Sequence, residues 1–396
     1  MKNFVFISPN FPENYWKFCA ELKNNGVRVL GIGDCPYNDL KQELRDSLHE
    51  YFKVGQLTNY DEVYRAVAFF IYKYGKIEWL ESNNEFWLER DAQLRSDFNI
   101  SSGFKYEQMA SVKHKSAMKA FYAKAGIPTA RYHLVEGYDD AVAFANEVGY
   151  PVVVKPDNGV GASHTYRLRS DDEVRFFMDT KDDNIYIMEE QVNGVVCTYD
   201  AIIDADGKPL FESGNYTPCS LMDVVNDSAD SIYYLHKEIP DKIREAGLKT
   251  VEAFGVKSRF IHFEFFELNE DQQGLGKQGD IVGLEVNMRP CGGYTPDMYN
   301  YAYETDVYKI WADMMVFNKS TKPIGSRHYC AFVGRRDGRI YAMDHNAIME
   351  KYGYCMKMQG RIPDALSGAM ANVMYVCNFD TKEQMDTYFT DLLQTK

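Results

Sequence analysis

Two apolar stretches in the second half of the chain carry carboxylates where little but apolar or aromatic residues would be expected. RFIHFEFFEL spans residues 259–268 and GLEVNMRP spans residues 283–290. Both read as strands. Alternation places His262, Glu264 and Phe266 on one face of the first, with Phe263 and Phe265 on the other. In the second, Glu285, Asn287 and Arg289 share a face, and Leu284, Val286 and Met288 take the opposite one. The polar, glycine-rich loop from Asn269 to Asp280 predicts a hairpin, with two carboxylates and an amide oxygen on one side. Carboxylates buried face to face repel and are costly unless compensated. A divalent cation removes that cost, and an all-oxygen donor set suits Mg²⁺. Arg289 adds a fork for phosphate or carboxylate oxygens. A buried salt bridge between Arg289 and one of the glutamates satisfies the same pattern.

Three further segments precede this pair. VVVKPDNGVGASHTY (152–166) places Lys155 at a strand end ahead of Gly159, Gly161, Ala162 and Ser163. Small residues let backbone N–H groups approach an anion, and the lysine neutralises charge. An ordinary Asn-Gly turn fits this segment equally well. It is not a Walker A loop, and His164 occupies the place of the last glycine of a G-x-G-x-x-G fingerprint. KHKSAMKAFYAKAG (113–126) is an amphipathic helix with a basic cluster at its start, closed by Gly126. IYIMEEQVNG (185–194) is an apolar strand that ends in two glutamates before a turn.

Composition excludes several classes. The 396 residues exceed what one core usually serves, so two to three domains are expected. A net charge of −14, with no long basic run, argues against a nucleic-acid partner. The eight cysteines lie far apart with no C-x-x-C pair, which argues against a zinc knuckle or a disulfide framework. No apolar run approaches ~20 residues, so no membrane span is expected, and the compartment is read as cytoplasmic.

Along the chain, NFVFISP, a helix through Trp16, Phe18, Cys19 and Leu22, and VRVLGIGD read as a βαβ unit with a parallel sheet. A helix from Asp61 to Tyr74 and the strand IEWLES continue this domain to residue 112. Residues 113–190 and 191–319 form two further units. The strand RYHLVE, a helix from Asp139 to Val148 and the strand CTYDAIID belong to these. A last α+β unit, 320–396, carries a predicted hairpin CAFVGRRDGRIYAM with its turn at Asp337-Gly338, and a final helix from Thr381 to Leu393.

Taken in order, these segments resemble the ATP-grasp superfamily, most closely its carboxylate–amine ligase branch with the L-amino-acid ligases. Biotin carboxylase and the carbamoyl-phosphate synthetase large chain are more distant look-alikes. HFEFF followed by EVNMRPCGG is the most specific match, similar to the pattern H-x-E-F … E-x-N-x-R-x-x-G-G. The resemblance covers roughly residues 1–320. It implies an α/β and α+β architecture: a Rossmann-like N-terminal domain, two ATP-grasp subdomains and a small C-terminal unit. It implies ATP bound between the subdomains, with Mg²⁺ as two ions and Mn²⁺ as a substitute. Lys115 and Lys155 match the ATP lysines. Gly159, Gly161, Ala162 and Ser163 match the hairpin over the phosphates, and Met188 to Val192, including Glu189, Glu190 and Val192, match the strand that reads adenine. Glu264, Glu285 and Asn287 match the metal ligands. Arg289 matches the arginine on the transferred phosphoryl group, acting with Lys155 in catalysis, and Gly292 and Gly293 match the loop beside the substrate.

The implied reaction activates a carboxylate as an acyl phosphate for attack by an amine. The implied partners are small-molecule acids and amines, with a homodimer common in the family. His262 is a candidate substrate contact or base, with a packed strand histidine as the alternative; His236 and Asp297 are weaker candidates. Two departures stand out. The ribose-binding glutamate of many members is replaced by Val196, and the proline after the metal asparagine is Met288. Activation of bicarbonate and a nucleotide-sensing protein without turnover are the competing readings. The tyrosines at 216, 233, 234, 294, 299, 301 and 303, with the loop 214–235, are expected to shape the substrate pocket.

Overall fold

The structure is a computed structural model and describes residues 1–159, 164–219, 224 and 228–396. Short apolar runs bounded by turn residues become the strands of three sheets. The first contains β1 (Asn3–Ile7), β2 (Arg28–Gly33), β3 (Glu50–Lys53) and β4 (Trp79–Glu81) in the order β3-β2-β1-β4, all parallel. β1 is buried along its whole length, as a parallel strand covered on both faces must be. The helix Trp16–Asn24 packs Phe18 against Trp311 and Tyr308 of the helix Val307–Phe317, which ties this domain to the rest of the chain.

The second sheet contains β5 (Tyr132–Leu134), β6 (Val152–Pro156), β7 (Tyr166–Leu168) and β8 (Tyr186–Glu190), antiparallel in the order β5-β8-β6-β7. The pairing of β6 with β7 confirms the glycine-rich hairpin; its tip, with Gly161, Ala162 and Ser163, lies outside the described residues.

The third sheet comprises β9 (Gly194–Ile203), β10 (Pro209–Ser213), β11 (Asn215–Thr217), β12 (Ser231–Leu235), β13 (Arg259–Leu268), β14 (Ile281–Asn287), β15 (Tyr329–Arg335), β16 (Met356–Arg361) and β17 (Val373–Phe379). Its order is β14-β13-β9-β11-β12-β15-β17-β16, with β10 also paired to β9. The C-terminal strands therefore extend the sheet that carries the acidic hairpin and do not form a separate layer. The hairpin expected over residues 330–343 does not form: β15 pairs with β12 and β17, and Tyr341 only bridges Thr395. β15 is buried on both faces and needs apolar neighbours, whereas Arg339 and Ile340 are exposed.

The helix expected over 113–125 is broken at His114, whose backbone is extended (φ −91°, ψ 118°), into Ala110–Lys113 and Lys115–Ala125. Asp157, just after β6, supplies the reason. Its carboxylate accepts from Ser116 N at 2.8 Å and Ser116 Oγ at 2.9 Å, and its carbonyl accepts from Lys115 N at 2.9 Å. These contacts satisfy N–H groups that a new helix start leaves open. Among the described residues no helix is long and apolar enough to cross a membrane.

Candidate active site

β13 and β14 form the expected antiparallel hairpin. Glu264 stands directly opposite Glu285, and His262 opposite Asn287, with an irregularity just after Glu264. Phe263 and Phe265 point into the core behind the sheet. Burial raises the Glu285 carboxyl, and Glu264 adds to the shift against the opposing charge of Lys115. Burial acts the same way on Glu264, but there His262, Arg289 and Lys155 together outweigh it and the carboxyl is lowered. The pair is thus a half-buried, all-oxygen site crowded by its own negative charge.

Cations converge on it from other elements. Lys115, at the start of its helix, places Nζ 3.4 Å from Glu285 Oε1. Lys155 ends β6 and pairs with Glu189 Oε2 at 2.6 Å. Lys119, one turn after Lys115, holds the other oxygen of Glu189. Burial pushes the Glu189 carboxyl up, but the two lysines pull it down to about 2. Burial disfavours the Lys155 ammonium, yet Glu189, with Glu285 and Glu264 beyond it, raises its pKa. Arg289 donates from Nε to Glu85 Oε2 at 3.1 Å and from Nη2 to Asn287 Oδ1 at 3.2 Å. Its acidic partner is therefore Glu85 of the N-terminal domain and neither glutamate of the hairpin. Glu85 also holds Lys113. The break at His114 lets Lys113 and Lys115 serve different carboxylates.

The remaining expected residues are distributed as follows. The Glu190 side chain turns away from Glu189, its carboxylate bound by Arg131 through Nη2 at 2.7 Å and Nε at 3.0 Å, whereas the role expected of Glu190 falls on its backbone. Val192 packs beside Leu268, Leu275 and Val282, where the loop between β13 and β14 clasps it: Gln272 Nε2 donates to Gln191 O at 2.8 Å and Asn269 N to Asn193 O at 2.9 Å. Gly159 lies just before the undescribed hairpin tip. Gly292 has open space where a side chain would stand, whereas Gly293 (φ +60°) is pressed against Met370. His262 does not offer a free nitrogen to a substrate. Nδ1 lies 2.6 Å from Asp200 Oδ1 and Nε2 lies 3.0 Å from Glu264 Oε1. His236 packs edge-on against Tyr216 and Tyr234 with Nε2 buried and unpaired among the described residues, burial lowering its pKa to about 4, and Asp297 is paired with Lys17.

Lys119, Glu85 and Asp200 contact the expected site residues and were missed by sequence reasoning. Lys119 had a signal, because four residues after Lys115 it shares a helix face. Glu85 and Asp200 had none beyond an acidic residue in or near a strand.

Known proteins share parts of this sequence and its fold. Residues 114–181 match the family described as carbamoyl-phosphate synthase L chain, ATP binding domain. An L-arginine-specific L-amino acid ligase of Bacillus subtilis is 24% identical over 337 residues, 82% of this chain and 78% of that protein. Among solved structures, an L-amino acid ligase from Bacillus licheniformis superposes with a TM-score of 0.70 at 14% identity, covering 98% of this chain and 96% of that one. The biotin carboxylase domain of Hydrogenobacter thermophilus 2-oxoglutarate carboxylase, bound to MgADP and bicarbonate, gives 0.69 at 14% identity, covering 100% and 90%. The chain therefore has the ATP-grasp fold, and its matched segment and its relatives make it similar to the ATP-dependent carboxylate–amine ligases.

Proposed function

We propose that the chain joins a carboxylic acid to an amine, as an amide or peptide bond, through an acyl phosphate, releasing ADP and phosphate. The observation that carries this reading is the pairing of Glu264 with Glu285 at a cleft where Lys115, Lys155 and Arg289 also meet. Two carboxylates and an amide oxygen, one carboxylate already raised by burial and its like-charged neighbour, form a donor set that fits a hard divalent cation. Glu264, Glu285 and Asn287 would hold Mg²⁺, which supplies charge neutralisation at the ATP phosphates.

The chain's own side chains do the rest by positioning and fixed charge. Lys115 and Lys155 face the phosphates. Arg289, anchored by Glu85, presents its guanidinium to the transferred group. The acid's carboxylate oxygen attacks the γ-phosphorus, the bond to the bridging oxygen breaks, and ADP leaves. The amine nitrogen then attacks the acyl carbon, the carbon–oxygen bond to phosphate breaks, and the nitrogen loses a proton. The open side of Gly292 leaves room for the acid.

The test is phosphate release from MgATP across amino acids, singly and in pairs, with bicarbonate as a separate arm. Arginine comes first, because the Bacillus subtilis relative is arginine-specific. Release that requires an acid and an amine together supports the ligase. Release with bicarbonate alone moves the reading to bicarbonate activation, of the carbamoyl-phosphate or biotin-carboxylase type. No release in any arm rejects both.

A further inference from the structure

Beside the acidic pair, on the same face of the sheet, three side chains with different donor atoms converge near the Gly292 loop. Asp200 of β9, His262 of β13 and Cys291 bring a carboxylate oxygen, an imidazole nitrogen and a thiol sulfur within 4.8 Å of one another. Asp200 and His262 are buried, and Cys291 is half-buried. Each side chain is aimed by a neighbour. His262 Nε2 lies 3.0 Å from Glu264 Oε1, which turns Nδ1 toward Asp200 Oδ1. Asp200 Oδ2 is taken by Thr198 Oγ1, with Asn215 Nδ2 at 3.5 Å, so Oδ1 is the oxygen that faces the cluster. A fourth group borders the same space. Tyr299 is fully buried beside Asp200 and Cys291, and its hydroxyl has no well-aligned hydrogen-bond partner among the described residues.

We propose that Asp200, His262 and Cys291 form a binding site for a borderline-soft divalent metal of the Zn²⁺ class, separate from the all-oxygen set at Glu264, Glu285 and Asn287. Mixed nitrogen, oxygen and sulfur donors select such an ion over Mg²⁺, which favours oxygen alone. Three protein ligands leave one position open, and the buried Tyr299 hydroxyl borders the cluster beside Asp200 and Cys291. A carboxylate on the far nitrogen of a ligating histidine is the usual arrangement that fixes its tautomer and orientation, and Glu264 provides it. Bonds of about 2.0–2.3 Å separate tetrahedral ligand atoms by roughly 3.3–3.7 Å. The sulfur moves inward by side-chain rotation, and Asp200 withdraws from its 2.6 Å contact with His262. Because Glu264 also belongs to the proposed phosphate site, occupancy immobilises one of that site's acids through His262. This last coupling rests on the ligase reading; the binding site does not.

The experiment is a titration of the full chain with Co²⁺ in excess Mg²⁺, followed by optical spectroscopy. One equivalent of Co²⁺ is expected to give a thiolate-to-cobalt charge-transfer band with tetrahedral d–d bands. Cys291→Ser loses the charge-transfer band and Cys35→Ser keeps it. Thr198→Val, nearly isosteric, lowers Co²⁺ affinity by about 10–100-fold, as loss of a ligand-orienting contact does. Wild-type protein that shows no charge-transfer band, or a Cys291→Ser variant that retains it, overturns the proposal. Neither outcome bears on turnover with MgATP, so the ligase reading stands or falls separately.

Discussion

Glu189 carries two lysines at once, and its chemistry sets a pH dependence. Its folded carboxyl titrates at about 2, against ~4.3 for an unperturbed glutamate. A lowered folded value means the stability it contributes is complete above the unfolded value and is lost as pH falls toward the folded one. Glu189→Gln should therefore sit below wild type in urea midpoint by a constant gap from pH 7 to about 5, and the gap should close between about 4.3 and 2. A gap unchanged at pH 3 contradicts the assignment. Glu285→Gln tests the opposite side of the cleft. Its fold should be intact by circular dichroism while ATP turnover drops by at least ~10²-fold, the scale of losing one preorganised charge contact. The acidic pair was legible in the sequence because alternation has a strict period and the aromatic residues mark the other face. The partners of these groups were not. Lys119 and Glu189 are 70 residues apart, Arg289 and Glu85 are 204 apart, and no periodicity spans such separations.

At the scale of elements, boundaries set by local signals agree with the structure. The helix expected from Asp139 to Val148 runs Tyr138–Val148, and the last helix starts at Lys382 behind a Thr381 cap. The two failures share a cause. The break at His114 is imposed by Asp157, and the fate of β15 is decided by β12 and β17, all distant in sequence. Packing also reverses an intrinsic preference. Gly247 lies inside the helix Asp241–Phe254, where alanine would ordinarily gain up to ~1 kcal/mol. A Cβ there would stand 2.1 Å from Tyr199 Cγ and 2.7 Å from its Cβ, atoms too near the backbone to swing away. Gly247→Ala should destabilise by about 1–3 kcal/mol, measured by chemical unfolding. A stabilised variant would show that β9 and this helix are packed more loosely than described.

The whole molecule is tied together by a buried ion cluster. Glu81, at the end of β4, receives Arg259 of β13 at 2.5 Å and Arg95 at 3.2 Å, and Arg259 also donates to Met288 O at 3.2 Å. One carboxylate thus fastens the parallel domain to β13 and, through Arg259, to Met288 just after β14. Removing it leaves two guanidiniums buried without their counter-charge, so Glu81→Leu should cost about 3–5 kcal/mol in unfolding free energy. A loss under ~1 kcal/mol would mean that the other ties, Glu85 with Arg289 and Phe18 with Trp311 among them, hold the two domains without it. The continuity of the large sheet has a consequence for inheritance. Every residue of β12 is paired to β15. A recombination event between relatives with its crossover near residue 320 would separate these partners and leave a raw strand edge. Diversity at the C-terminal end should thus descend together with the segment around 231–235, as one inherited block, and not as an exchangeable tail.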